Sequence, residues 1–388
     1  MFFSIATCVA VHVSLFAAMA KFQSRKPDFA GLYQAGRAVD HERFPSLIER
    51  FPSLKSNDFS VQTASGTLPA DTMHPPYELI IYAVLALLKF RFAYPFWWAC
   101  NLGLLFYSVF LLWRHIPNLN ARSPYLLIMI ATFFPVLVAA VQGQNSILLL
   151  FLLVVSLNLL DSQKDFASGF VLSMGMFKFV LVIPMLFWLI IEKRWKSLAG
   201  FTVGCVVLLI TATSLVGMAG VVAYVQTLTG YGKAAPEQPG TETIMPNLRG
   251  LLHVIGSHIV SGSALTFITL IVSICLFIWV NFRMAKKRDL TKRFGAQVLL
   301  ATLVSYHLYP HDATVLVLPA LIFFNSSLQP EFKHGPRTAL IAGGIVIYLL
   351  PLLAPLQIGM PLIGVAALTL LVWVLSWPNS PDGAMVPS

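Results

Sequence analysis

Apolar runs close to the length that a bilayer demands recur along almost the whole of this chain. A helix that crosses the hydrocarbon core needs about 20 mostly apolar residues, because every backbone polar group must find its partner inside the segment. Such runs fall near 1–20, 77–90, 95–113, 124–141, 145–160, 167–191, 198–222, 264–282, 295–309, 313–325, 339–356 and 360–377. The pattern predicts an all-α integral membrane protein of about twelve transmembrane helices, forming a single polytopic domain over residues 1–388. A soluble chain with 57% hydrophobic and 11% charged residues could not cover its surface with polar groups. Cys8, Cys100, Cys205 and Cys275 all lie inside apolar runs, which argues for packing rather than a disulfide framework or a clustered metal site.

The net charge of +10 could suggest nucleic acid, but the basic residues sit in short clusters between apolar runs, where topology signals belong. With the N-terminus inside and strict alternation, the inner loops collect Lys89 and Arg91, then Lys193, Arg194 and Lys196, then Arg283 to Arg293, then Lys333 and Arg337. The short outer loops keep Arg114, Arg122 and Lys164. Lys21, Arg25 and Lys26 follow the first run and disagree with that orientation, so the cluster at 283–293 decides it. A cleaved signal peptide fits the first run poorly, since no basic stretch precedes it and no clear small-residue cleavage site follows.

This topology sends three features to the extracytoplasmic side: the loop of about 21–76, the loop of about 223–262, and the turn His307, Leu308, Tyr309, Pro310, His311, Asp312. Ionisable groups at membrane depth cost several kcal/mol unless they meet a partner or line a cavity, so the turn marks a functional site. Each long loop is expected to carry an amphipathic helix. The stretch 28–51 places Phe29, Leu32, Tyr33, Ala35, Ala38 and Val39 at near-helical spacing, fitting a helix on the membrane surface. The stretch 247–259 has Asn247 as a cap and Leu248, Leu251, Leu252 and Ile255 on one face.

Several short motifs then carry a resemblance. Pro27, Asp28 and Phe29 with Tyr33 and Ala35, and His74, Pro75, Pro76 and Tyr77 at the mouth of the second run, resemble the polyprenol-phosphate-dependent glycosyltransferases of the C-type fold. Within them the chain is most similar to glycosyltransferase family 87, whose members include α-mannosyltransferases. The similarity continues through Gln142, Gly143, Gln144 and Asn145, through Lys178 and Pro184, through Asn247 to Gly250, and to the 307–312 turn. The resemblance implies a polyprenyl-phosphate sugar as donor and, as catalytic base, the acidic residue after the first span, here Asp28.

One carboxylate is enough for such chemistry. Glycosidases need a second carboxyl group to protonate an alkoxide leaving group, whereas a lipid phosphate leaves as a stable anion. A base on one face and a departing phosphate on the other imply inversion at the anomeric carbon. The competing reading of Asp28 is a helix cap. Lys178, alone in the interior of a run, either meets the lipid phosphate or snorkels to the interface. Arg249 matches a phosphate bidentately or holds anionic lipid non-specifically. His307 and His311, four apart, suit hydrogen bonds to donor phosphate or sugar, and with Asp312 their spacing also permits a metal site. No metal and no cofactor are expected. Gln142, Gln144 and Asn145 fall toward the cytoplasmic end in this topology and are weaker candidates, with Tyr33, His74 and Tyr77.

The sequence therefore reads as a glycosyltransferase of the cytoplasmic membrane, its site facing outward, moving a hexose, mannose by resemblance, to a lipid or glycan acceptor. Its partners are the lipid-linked donor, that acceptor and membrane lipids, with no nucleic acid. A transporter or flippase of lipid-linked sugars is the rival reading, though no paired repeats with matching broken helices are found.

Overall fold

The computed structural model describes residues 28–38, 74–119, 123–234, 241–285 and 287–328, together with Gly364 and Ala367, and every regular element among them is helical. The helices are α1 (Asp28–Ala38), α2 (Leu79–Leu85), α3 (Phe90–Leu112), α4 (Pro124–Ala131), α5 (Phe134–Gln142), α6 (Ser146–Asp161) and α7 (Asp165–Met174). They continue as α8 (Phe179–Ile191), α9 (Trp195–Ala234), α10 (Leu248–Gly256), α11 (Gly262–Met284), α12 (Leu290–Val304) and α13 (Val317–Ser327). The runs expected to span near 1–20, 339–356 and 360–377 lie outside the described residues, apart from Gly364 and Ala367.

By length and composition four described segments could cross a membrane: Phe90–His115, Asp165–Ile191, Trp195–Gln226 and Gly262–Met284. The expected span at 124–141 is instead a pair, α4 and α5, bent by 60°. Pro135 follows the break, where its missing N–H removes nothing from the first turn of α5. The run at 77–90 yields only a short apolar helix, Pro76–Leu85, and the run at 295–309 stops being helical at Val304.

The segment Asp165–Ile191 is continuous in composition but doubles back. A 3-10 turn at Gly175–Lys178 separates α7 from α8, and Lys178 itself has non-helical backbone angles (φ −119°, ψ 56°). Arg194 Nη1, just past α8, lies 3.1 Å from Asp165 Oδ1 at the start of α7. The expectation that 167–191 crosses once is therefore corrected: the chain goes in and returns on the same side. α7 then lies hard against the first turns of α9, so tightly that a Cβ on Gly169 would fall 1.7 Å from the Ser197 carbonyl oxygen.

That reversal changes which loops share an end. Arg114 donates to the Asn158 carbonyl at 2.8 Å and pairs with Asp161 at 3.8 Å, and His115 meets Thr291 at 3.1 Å. Arg293 pairs with Glu192 at 2.5 Å, and Asn118 N donates to Asn325 Oδ1 at 2.7 Å. The loops around 113–118, 158–165, 191–196, 284–293 and 325–328 thus gather at one end of the bundle. Arg114 and Lys164, expected on the opposite side from Lys193 to Lys196 and Arg283 to Arg293, belong with them. Lys89 and Arg91, expected with that cluster, sit at the far end of α3 from Arg114.

The core runs along this bundle, with Leu105, Leu112, Leu149, Leu150, Val154, Leu157, Val182 and Trp188 fully buried. A second cluster holds α1 at the far end: Phe29, Leu32 and Tyr33 pack on Tyr82, Leu85, Ala93, Tyr94 and Trp97. α1 therefore buries its apolar face in the protein, correcting the expectation of a helix lying on the membrane surface. Residues 39–51 of that stretch are outside the described residues. α10 follows the second expectation, with Asn247 Oδ1 accepting from Gly250 N at 2.9 Å and Leu248 buried.

Candidate active site

Four breaks in the helices meet at the end of the bundle opposite the basic loops. The first is Gly143 to Asn145, between α5 and α6. Gly143 takes the left-handed conformation (φ 68°), and a Cβ there would stand 2.6 Å from Phe29 Cβ, so glycine is required on both counts. Trp97 Nε1 donates to the Gly143 carbonyl at 2.9 Å and the Tyr94 hydroxyl to that of Val141, satisfying carbonyls that α5 leaves over. The second break is Gly175 to Lys178. The third is Ser305 to Asp312, where the chain leaves α12, runs extended through Tyr309, and enters a 3-10 helix at Pro310. The fourth is Pro76 to Glu78, a 3-10 turn leading into α2.

These breaks carry one connected polar cluster. Gln144 Nε2 donates to Asp28 Oδ2 at 2.7 Å, and Gln144 Oε1 accepts from Lys178 Nζ at 3.4 Å. Lys178 Nζ lies 2.9 Å from Asp312 Oδ1, a pair whose side chains are 12% and 4% exposed. Asp312 also accepts from Ser146 Oγ at 3.0 Å and from Tyr309 N at 3.1 Å. His311 Nε2 is 3.4 Å from Lys178 Nζ, and its Nδ1 is 2.8 Å from Gln142 Oε1.

Donor and acceptor roles follow from chemistry. An ammonium only donates, so Nε2 of His311 accepts from Lys178 and Nδ1–H donates to Gln142. The same reasoning orients Gln144: its oxygen faces the ammonium and its nitrogen faces the carboxylate of Asp28. Lys178 thus sets the amide that holds Asp28. Through Gln144 and Lys178 the side chains of Asp28, His311 and Asp312 are joined, which places four ionisable groups in one connected cluster.

The sequence placed these residues with uneven success. Asp28, Gln142, Gln144, Lys178, His311 and Asp312 come together as one cluster, so the expectation that the 142–145 amides lie at the opposite end from Asp28 and the 307–312 turn is corrected. Lys178 neither snorkels nor stands alone, being paired with Asp312. His307 and His311 share no helical face, because Pro310 begins a helix instead of interrupting one. The His307 ring packs edge-on against Tyr309 at 4.6 Å. Tyr33 serves the fold, its hydroxyl donating to the Leu88 carbonyl at 2.7 Å, and Tyr77 is partly buried against the main core.

Arg249 stands beside the same turn. Its guanidinium lies over the Tyr306 ring at 4.1 Å, and Nη2 is 3.4 Å from Glu242 Oε1. Asn247 Nδ2 donates to the Ser305 carbonyl at 2.7 Å, so α10 is fastened to the strand of chain that leads to His311 and Asp312. Among the described residues no three His, Cys, Asp or Glu side chains are grouped to hold a metal ion.

Glu78 was missed by the sequence reading. Its side chain is fully buried, with Oε2 2.9 Å from His74 Nδ1 and Oε1 accepting from Asn145 Nδ2. Asn145 in turn accepts from the buried Tyr82 hydroxyl at 2.8 Å. A carboxylate two residues into the 77–90 apolar run was the available signal.

Comparison with curated proteins finds no match. Comparison with protein families returns glycosyltransferase family 87 over residues 73–310, more than half of the chain. The matched region contains His74, Glu78, Gln142, Gln144, Asn145, Lys178, Arg249 and His307. His311 and Asp312 lie just beyond its limits and Asp28 well before them, yet the fold ties each of the three to a residue inside. With an all-helical bundle whose apolar segments suit a membrane and a polar cluster built across its helix breaks, this chain belongs to glycosyltransferase family 87 and is a membrane glycosyltransferase.

Proposed function

We propose that the protein transfers a hexose, mannose by family resemblance, from a polyprenyl-phosphate carrier to a lipid or glycan acceptor at the extracytoplasmic face of the cytoplasmic membrane. The observation that carries this reading is the hold of Gln144 on Asp28, set from behind by Lys178 and Asp312. A carboxylate kept in one orientation at the rim of a polar cluster suits a general base. Asp28 takes the proton of the acceptor hydroxyl as that oxygen bonds to the anomeric carbon. The bond from that carbon to the phosphate oxygen breaks, and its electron pair leaves with the lipid phosphate. Attack and departure on opposite faces invert the anomeric centre. Arg249 is the proposed phosphate ligand, with His307 beside it, while His311, Asp312 and Lys178 shape the sugar site. Amides and carboxylates suit hydroxyl-rich ligands.

The basic loops at the other end support the orientation. Lys and Arg concentrate on the cytoplasmic side of membrane proteins, which favours an outer-leaflet position for the Asp28 cluster. α3 separates the two ends by about 26 Å from Trp97 to Arg114 at 1.5 Å per residue.

Asp28→Asn tests the base. It preserves size and much of the hydrogen bonding but cannot accept the proton, so transfer from a radiolabelled polyprenyl-phosphate sugar by the protein in liposomes should fall about a hundredfold or more while donor binding persists. Transfer near the wild-type rate would remove Asp28 from that role.

A further inference from the structure

Two carboxylates flank the dipeptide Gln144 and Asn145, and only one of them has been given work. Gln144 holds Asp28; Asn145 holds Glu78, whose other oxygen meets His74 Nδ1 at 2.9 Å. Glu78 is completely enclosed, whereas the His74 side chain is 15% exposed. A buried carboxylate with both oxygens engaged fixes its partner's ring, and donation of Nδ1–H to Glu78 leaves Nε2 as the nitrogen available to a ligand.

Lys178 and Arg249, like His74, each meet a carboxylate. Lys178 pairs with Asp312 at 2.9 Å and Arg249 with Glu242 at 3.4 Å. A lipid phosphate that gains negative charge as its bond to the sugar breaks needs a donor aimed at the oxygen where that charge appears.

Building on the reading above, we propose that His74 is that donor, a catalytic residue whose Nε2–H, on the imidazolium, hydrogen-bonds the departing phosphate oxygen, and that Glu78 is its positioning residue. No proton is transferred from His74. The phosphate oxygen keeps the electron pair of the broken bond as an anion, and the acceptor's proton goes to Asp28.

The two nitrogens can be tested separately, because a glutamine amide nitrogen falls near the Nε2 position of histidine and an asparagine amide nitrogen near Nδ1. Purified variants are assayed for binding of a short-chain polyprenyl phosphate, the leaving group itself, and for transfer. His74→Asn, which keeps the contact to Glu78, should weaken polyprenyl-phosphate binding and lower kcat by about ten- to a hundredfold. His74→Gln should retain a substantial part of both. Glu78→Gln should lower kcat with the protein still folded, and Glu78→Asp should restore part of the loss.

His74→Asn behaving as wild type in both measurements would overturn the proposal. So would equal losses in His74→Asn and His74→Gln, since position Nε2 would then not matter. Wild-type protein that binds no polyprenyl phosphate at all would sink the donor class instead, and an active Asp28→Asn protein would sink the base alone.

Discussion

Arg194 Nη1 lies 3.1 Å from Asp165 Oδ1, so the two ends of an apolar segment 27 residues long meet on one side of the bundle. A straight helix of that length would hold them about 40 Å apart. The contact forces α7 and α8 into a V with Lys178 at its apex, and it brings Lys164 to the same end as Lys193, Arg194 and Lys196. One reversal gathers the basic loops and lifts Gln144 and Lys178 to Asp28.

The first prediction concerns that arrangement. In a cysteine-free background, Lys164→Cys, Lys193→Cys and Asp289→Cys should share one accessibility, and Ile259→Cys, at an exposed position past α10, the opposite one. With an impermeant thiol reagent on intact cells, Ile259→Cys should label and the other three should not. Labelling at 164 with protection at 193 would restore a single crossing through 167–191 and undo the V.

Much of this could be read from the chain, and the failures have one cause. Apolar runs located the helices, the cost of ionisable groups inside them drew attention to Lys178, His311 and Asp312, and the family resemblance pointed to Asp28. Hydropathy, however, carries length and not direction. The run at 167–191 has the same composition whether straight or folded, and counting it as one crossing inverted the loops near 89–91, 114–122, 142–145 and 161–164, while the 77–90 run, too short to cross, left the first long loop on its expected side. The clue was present in Arg114 and Lys164, basic residues stranded on the outer side of an otherwise biased topology. Glu78 escaped because it sits at the margin of a run, where a carboxylate passes for a boundary. Its burial depends on Asn145, 67 residues away, a contact that no local pattern encodes.

Arg249 offers a prediction that separates charge from shape. Its guanidinium lies over the Tyr306 ring while two nitrogens reach Glu242 and the Tyr306 carbonyl, each at 3.4 Å. Lysine keeps the charge but loses the stack and the fork. Arg249→Lys should therefore raise the donor KM, and Arg249→Ala should raise it further, by about ten- to a hundredfold if the phosphate docks here. Steady-state kinetics with varied donor at saturating acceptor decide the matter. Identical kinetics in Arg249→Lys and wild type would leave this residue to general lipid contact.

The Lys178 and Asp312 pair yields the sharpest separation of stability from function. Lys178→Met strands a carboxylate that is 4% exposed, and breaking a buried pair in this way typically costs about 3–5 kcal/mol. Replacing both, as Lys178→Met with Asp312→Asn, removes the two charges together, while the Asn oxygen still accepts from Tyr309 N and its amide nitrogen donates to Ser146 Oγ. Thermal stability should then recover most of the loss. Activity should not. Without the ammonium nothing holds the Gln144 oxygen, so the amide can turn and release Asp28 Oδ2, and transfer should remain at least about tenfold below wild type while donor binding changes less. A double variant that is stable and transfers at the wild-type rate would show the pair to be a packing device and would break the link from Lys178 through Gln144 to the base.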